Sequence, residues 1–294
     1  MVVMPNSLPR DALPLPFRDE VFEVWRQGIY DDAETTVFVN ARRDFAVLYP
    51  QPVIDYDTYV PRLAKMGVGS YAAKTPMYHQ RLTKVSPFVH DGCRLLEIGA
   101  GDGTFLRILG EKFPGIQLAT CEKDVTTKFL RTPLVGKKDY ADINDILGEN
   151  LTFDIVCLFH VLEHLLDPVA FLDSLKNLSP DGKCIIEVPA LTDPLLSLYQ
   201  CDDYEKFYFQ KQHPFVYSQT SLCRLLEYAG FVTDHIVPFQ RYPLSNHLQW
   251  LSRGIPGGNA LYDNMFSRTQ QHYIADLERA GLTDSVIWIG SSGA

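Results

Sequence analysis

The stretch Leu95-Leu96-Glu97-Ile98-Gly99-Ala100-Gly101-Asp102-Gly103-Thr104 decides the fold of this chain. A short apolar run empties into Gly-x-Gly-x-Gly, and the following DGTFLRILGEKF has the apolar spacing of an amphipathic helix. Glycines tolerate positive φ and let backbone approach a ligand closely. A strand that turns through glycines into a helix is the opening unit of a parallel sheet, with the turn at the strand's carboxyl end.

The pattern continues outward from that turn. GIQLATCEKD reads as a second strand ending in acid, and VTTKFLRTPL as a short helix. The run 151–159 is another strand, and DPVAFLDSLKNLSPDG is a helix stopped at Asp181-Gly182. KCIIEVPA is a strand closed by Pro189, TSLCRLLEYAG a helix ending in Gly230, and FVTDHIVPF a further strand. Strands alternating with helices imply right-handed crossovers and an α/β, doubly wound, mostly parallel sheet covered on both faces. Upstream, residues 1–16 are proline-rich and predict an extended tail, and 18–30 carry helical spacing. The stretch 49–61 predicts a loop or arm, and 70–90 a helix entered near Pro76. Downstream, VIWIG at 286–290 predicts a last edge strand, while 241–275 has no clear pattern.

Composition narrows the function. The chain has 294 residues, 27 basic and 36 acidic, for a net charge of −9. That balance argues against a nucleic-acid partner, since phosphate neutralisation needs a basic face. There is no run of 18 apolar residues and no secretory-type start, so neither a membrane span nor a signal peptide is expected. The six scattered cysteines, without a CxxC pair, suit reduced thiols in a cytoplasm.

The ligand of the glycine turn follows from its charges. A dinucleotide site reads GxGxxG and seats a diphosphate on the helix N-terminus. This turn reads GxGxG and brings Glu97 and Asp102 beside it, which would repel a diphosphate. Two carboxylates suit a cationic ligand without phosphate, and S-adenosylmethionine is one. Glu122, 19 residues past Gly103, can accept two ribose hydroxyls. Asp142 is placed to meet the adenine amino group.

Taken in order, LLEIGAGDGTFL, LATCEKD, FDIVCLFHVLEHLLDP and LSPDGKCIIEVP resemble the class I S-adenosylmethionine-dependent methyltransferases over about residues 70–240. The resemblance implies a seven-stranded Rossmann-like domain over 71–240, an N-terminal tail and arm over 1–70, and a C-terminal lid or pocket extension over 241–294. It implies that Glu97, Gly99, Ala100, Gly101 and Gly103 line the methionine part of the cofactor. Glu122 and Lys123 then sit at the ribose, Asp142 and Ile143 at the adenine, and Phe159 with His160 between cofactor and substrate. It also implies that Glu163-His164 caps the next helix and faces the active-site floor.

Methyl transfer to a hydroxyl or carbon acid needs a proton acceptor, and histidine suits that task near neutrality. His213, in QHPFVYS, resembles the pocket-lining segment of methyltransferases acting on sugars and small metabolites. His213, His164 and His160 are therefore the candidate catalytic residues. His160-Val161-Leu162-Glu163-His164 reads HxxEH, yet it follows a sheet strand and not a peptidase helix, so no metal is expected there. Tyr78, Tyr217, Arg241, Asn246 and His247 are candidate substrate contacts, Arg241 toward a phosphate and Asn246 with His247 toward sugar hydroxyls. Tyr49, Tyr56, Tyr59 and Tyr71 join Tyr78 as an aromatic set suited to covering a pocket or to packing. The expected reaction is O-methylation of a small polar acceptor, a sugar or sugar nucleotide, as in surface-sugar and polysaccharide biosynthesis. C- or N-methylation of another metabolite, nicotinamide-dependent redox chemistry and binding without turnover are the alternatives. A homo-oligomer is left open.

Overall fold

A computed structural model describes residues 8–30, 32–51 and 75–293. Tyr56, Tyr59, Tyr71 and the first seven residues of the expected tail lie outside the described residues. The chain opens with strands β1 (Phe22–Ile29), β2 (Asp32–Asn40) and β3 (Phe45–Tyr49), followed by helix α1 (Thr75–Val85). The alternating part comprises β4 (Arg94–Ile98), α2 (Thr104–Lys112), β5 (Gln117–Cys121), α3 (Lys128–Val135), β6 (Asp139–Tyr140), α4 (Ile143–Gly148), β7 (Ile155–Phe159), α5 (Pro168–Leu178) and β8 (Lys183–Pro189). Then come α6 (Pro194–Ser197), α7 (Asp202–Tyr208), β9 (Phe215–Tyr217), α8 (Gln219–Tyr228) and β10 (Phe231–Phe239). Helices α9 (Leu244–Arg253), α10 (Ala260–Met265) and α11 (Gln270–Ala280) precede β11 (Ser285–Ser292).

The main sheet has seven strands in the order β10-β11-β8-β7-β4-β5-β6. β4 to β8 pair in parallel, and β11 is antiparallel to both of its neighbours. Strand order reverses between β4 and β7, which opens a crevice at their carboxyl ends, the usual ligand position in such sheets. Alternation along each strand sorts its side chains onto two faces. Leu96, Ile98, Val156, Leu158, Ile186 and Val188 pack under α5 and α8, while Leu95, Cys157 and Ile185 pack under α1 and α2. With both faces covered, the strands read as continuous apolar runs, as parallel strands do.

VIWIG is a strand but not an edge. β11 lies inside the sheet between β8 and β10, and Ile287, Trp288 and Ile289 are all fully buried. β10 forms the edge instead. The segment after residue 240 thus supplies both an internal strand and three packed helices.

The helix expected over 18–30 is a strand. Phe22, Trp25 and Ile29 have helical spacing, but β1 pairs antiparallel with β2. Register shifts between Val24 and Arg26, and again between Gln27 and Ile29, break the two-residue alternation. Bulges therefore gave a strand the spacing of a helix. β1, β2, β3 and β9 form a second, antiparallel sheet. Phe17 stacks on Phe45 at 3.9 Å between ring centroids, and Phe45 stacks on Phe215. A bridge between Ala190 and Tyr217 joins this sheet to the end of β8, so the loop before β9 is held beside the crevice.

All six cysteines are free thiols. Among the described residues no helix is long and apolar enough to cross a membrane.

One buried ion pair ties α1 to the main sheet. Arg81 donates to both oxygens of Glu187, from Nε at 2.6 Å and from Nη2 at 3.1 Å. Both residues are buried. Removing one member of such a pair strands the other charge in low dielectric. Arg81→Ala is expected to lose about 3–5 kcal/mol of stability in urea unfolding; an unchanged midpoint would mean that Glu187 finds water or another cation.

Candidate active site

The glycine turn leaves β4 with Gly99, Gly101 and Gly103 at φ of 77°, 56° and 76°. A Cβ on Gly99 would lie 2.4 Å from Val161 Cγ2, so the turn and the segment after β7 are in close contact. Ala100 is buried between them. Asp102 accepts the Thr104 backbone N–H at 3.0 Å and its hydroxyl at 2.7 Å, which opens α2. Gly101 N–H donates to Glu122 Oε2, and Asp124 N–H donates to Glu122 Oε1, both at 2.8 Å. Glu122 is thereby fixed at the end of β5, next to the turn.

Arg131 of α3 was not legible in the sequence. Its Nη1 donates to the Gly101 carbonyl at 2.5 Å and its Nε to Asp139 Oδ1 at 3.1 Å, with only 1% of the side chain exposed. It clamps the turn through groups 30 and 8 residues away, a link that no local pattern encodes.

Glu97 is the most perturbed acid here. Burial pushes its carboxyl up to about 8; Arg81 draws it down, while Glu122 and Asp102 push it further up. Its Oε2 is buried without a hydrogen-bond partner. An orphaned carboxyl oxygen amid like charges is a site awaiting a cation. Asp142 caps α4 by accepting the Asn144 N–H at 2.9 Å, with Ile143 the first residue of that helix. It lies within electrostatic reach of Cys121 at the end of β5. Lys123 is exposed. Phe159 ends β7, edge-on to Phe105 at 4.9 Å, with the Arg81 guanidinium over its ring at 4.6 Å. Tyr78 lies under the same guanidinium, 5.3 Å from its ring.

Past β7 the backbone is strained. His160 has φ of 58°, a left-handed conformation uncommon outside glycine. The twist lets His160 bridge two buried carboxylates. Its Nδ1 lies 3.1 Å from Glu163 Oε1 and its Nε2 lies 2.8 Å from Glu187 Oε1. Burial alone would push the Glu163 carboxyl up, but the His160 hydrogen bond and the surrounding imidazoles bring it down to about 2. Glu187 is likewise held well below the usual range: Arg81 and His160 outweigh its burial.

The structure brings His160, His164 and His213 together. His164 Nδ1–H donates to the Gln212 carbonyl at 2.8 Å. The His164 and His213 rings meet edge to face, 4.8 Å between centroids. Burial drives the His213 imidazole down to about 3, and His164 pushes the same way against Glu163. Glu163-His164 does not cap the next helix. It forms a 3₁₀ turn, and α5 is capped by Asp167, which accepts the Ala170 N–H at 3.1 Å. Tyr217, an expected substrate contact, and Tyr208, which the sequence did not single out, are buried with hydroxyls lacking partners, and both feel the Glu163 charge.

Three expected substrate contacts are engaged elsewhere. Arg241 is paired with Asp284 at 2.6 Å, and its Nη1 lies 2.6 Å from His160 Nε2, so its charge is already matched inside the protein. Asn246 Nδ2 donates to the Gly257 carbonyl at 3.0 Å. His247 is 1% exposed, between Gln240 and Tyr273. Asn246 and His247 lie on the buried face of α9 and hold the C-terminal helices rather than facing a ligand.

The family described as "Methyltransferase domain" matches residues 69–236, more than half of the chain. The chain belongs to this family. It is an S-adenosylmethionine-dependent methyltransferase. A SAM-dependent methyltransferase from Archaeoglobus fulgidus is 22% identical, with a TM-score of 0.52 over 80% of this chain and 99% of that one. Phosphoethanolamine N-methyltransferase 2 of Haemonchus contortus is 14% identical, with a TM-score of 0.52 over 85% of this chain and 62% of that one. The mitomycin 7-O-methyltransferase MmcR is 13% identical, with a TM-score of 0.50 over 81% of this chain and 59% of that one. At these identities the likeness carries the fold and not the acceptor. No curated protein matches the chain in sequence.

The residues of this methyltransferase fit the cofactor. The left-handed glycines leave room for backbone to approach it, Glu97 and Glu122 offer carboxyl oxygens, and Arg131 beside the turn is spent on Asp139 and a carbonyl. The cofactor supplies a methyl group on a cationic sulfur. Gly101→Val puts a β-branched side chain at positive φ and is expected to abolish cofactor binding; calorimetry with S-adenosylhomocysteine showing wild-type affinity would move the cradle elsewhere. A cation beside Glu97 favours its ionised form. Binding S-adenosylmethionine at pH 6.5, below the raised value of about 8, is therefore expected to expel a proton. Binding heats that differ between buffers of high and low ionisation enthalpy will register it, and equal heats would show no such coupling.

Proposed function

We propose that this methyltransferase acts on a hydroxyl of a small polar acceptor, a sugar or sugar nucleotide. The observation that supports this is a set of unsatisfied polar atoms gathered around the end of β7 and the start of β9. Glu163 Oε2, Gln212 Oε1 and the Tyr208 and Tyr217 hydroxyls are all buried without hydrogen-bond partners. Each such group carries a desolvation cost of about 1–3 kcal/mol until a partner arrives. An acceptor rich in hydroxyls satisfies them, whereas an apolar acceptor leaves them unpaired. That difference is how a site rejects the wrong ligand.

The Glu163, His164 and His213 group is where the acceptor's nucleophilic oxygen is held and its proton given up. His160 supports it as a positioning residue: by bridging Glu163 and Glu187 it fixes the carboxylate that faces the acceptor. Val161 packs on Gly99, so this group and the cofactor turn are neighbours. Holding two reactants in register can remove about 7–11 kcal/mol of barrier. An N-methyltransferase and an O-methyltransferase share the fold, so the sheet alone does not choose the atom methylated.

His213→Ala is expected to lower turnover by about 10²–10⁴-fold, the usual contribution of a proton-accepting side chain, with cofactor affinity unchanged. The assay is mass-spectrometric detection of a 14-mass-unit gain, about one methylene, on a panel of sugars, nucleotide sugars, amines and catechols. Methylation of amines alone would remove the hydroxyl reading, and equal rates for mutant and wild type would remove His213 from it.

A further inference from the structure

The geometry points to a divalent transition-metal site, of the kind zinc occupies, formed by Glu163, His164 and His213. Their ligating atoms all lie within 4.8 Å of one another. An ion about 2.0–2.2 Å from each donor would draw them to within roughly 3–4 Å of each other. Ion binding therefore requires the three donors to draw closer together.

Glu163 is 1% exposed; its Oε1 is taken by His160, and its Oε2 is buried without a partner. One occupied and one open oxygen is the arrangement of a monodentate carboxylate ligand. His164 donates its Nδ1–H to the Gln212 carbonyl, which fixes the tautomer with its lone pair on Nε2. Metal-binding histidines are oriented this way by a carbonyl or carboxylate behind the ring. The carbonyl belongs to the residue before His213, so one backbone segment orients one histidine and carries the other. The His213 ring stands edge to face with His164.

Two imidazoles and one carboxylate favour zinc or a similar ion over calcium or magnesium, which prefer all-oxygen sets. Three protein ligands also leave a coordination position open, as in catalytic zinc sites. The arrangement differs from the HxxEH of zinc peptidases, where both motif histidines bind and the glutamate is the base. Here the motif supplies its glutamate and second histidine, and the other imidazole comes from 49 residues further on. His160 is held by Glu187 and serves behind the ligand carboxylate.

An ion in this place lowers the pKa of an oxygen ligand, and with the ion bound His213 acts by holding it rather than by taking the proton itself. Its open position is where the acceptor hydroxyl would bind, which rests on the hydroxyl reading above; ion binding itself does not.

The test uses the full chain, stripped with EDTA and dialysed. Titration with ZnCl₂ by calorimetry, and with CoCl₂ followed by visible absorption, is expected to show one ion per chain and the bands of a four- or five-coordinate centre. His213→Gln and Glu163→Gln are each expected to weaken zinc binding by about 100-fold or more, since even residues behind the ligands typically cost 10–100-fold. The exposed His272→Gln should bind as wild type does. Circular dichroism checks that each variant is folded, and His164→Gln replaces either one that is not. No stoichiometric binding, or wild-type affinity in folded ligand variants, would overturn the site. Ion binding as expected with no hydroxyl acceptor methylated supports the site and sinks the acceptor reading. Hydroxyl methylation by stripped protein that binds no ion overturns the site and leaves the acceptor reading standing.

Discussion

Glu187 is the carboxylate on which the arrangement of this site depends. It sits fully buried in the fifth parallel strand, where an unpaired charge would be untenable. Two cations or potential cations answer it from opposite sides. Arg81 reaches it from α1 with both arms of its guanidinium, and His160 reaches it from the end of β7. Satisfying one charge therefore fixes the helix that covers the sheet, the strained residue that leaves β7, and the carboxylate of Glu163 beyond it. Arg81 also weighs against the raised carboxyl of Glu97. The glycine turn and the segment after β7 are thus tied electrostatically to one buried group.

The division of labour across the crevice follows from burial. On the cofactor side, Glu97 is pushed toward its neutral form because its neighbours are acids. Past β7, Glu163 is held ionised because its neighbours are imidazoles. Two buried glutamates in one crevice thus differ in protonation at neutral pH, a separation that environments of this kind produce. The acid kept neutral suits a site that receives a cation. The acid kept charged suits a site that orients imidazoles.

Most of the main sheet was legible because its strands are covered on both faces. Leu95 to Ile98, 155–159 and 183–188 read as apolar runs bounded by glycine, acid or proline, and local punctuation placed them. The glycine turn was legible because it lies in ten consecutive residues. Elsewhere the information is not local. Phe22 to Ile29 kept helical spacing because bulges reset its register against a partner strand. VIWIG announced a strand but not its place in the sheet, which β8 and β10 determine. Arg241, Asn246 and His247 have the side chains of ligand contacts, yet Asp284, Gly257 and Tyr273 claim them. Arg81 and Arg131 gave no signal because their partners lie 106 residues away or on another element. Composition tells which groups can do chemistry; only the fold tells which are already spoken for.

The place of β11 has a consequence for how the molecule comes into being. It follows β10 in the chain yet inserts between β8 and β10, about a hundred residues after β8. Until it inserts, the margins of β8 and β10 that face it are unpaired. Unpaired margins of this sort invite misassociation, and contacts so distant in sequence form slowly. Joining β10 to the main sheet therefore waits on a segment about a hundred residues downstream of β8.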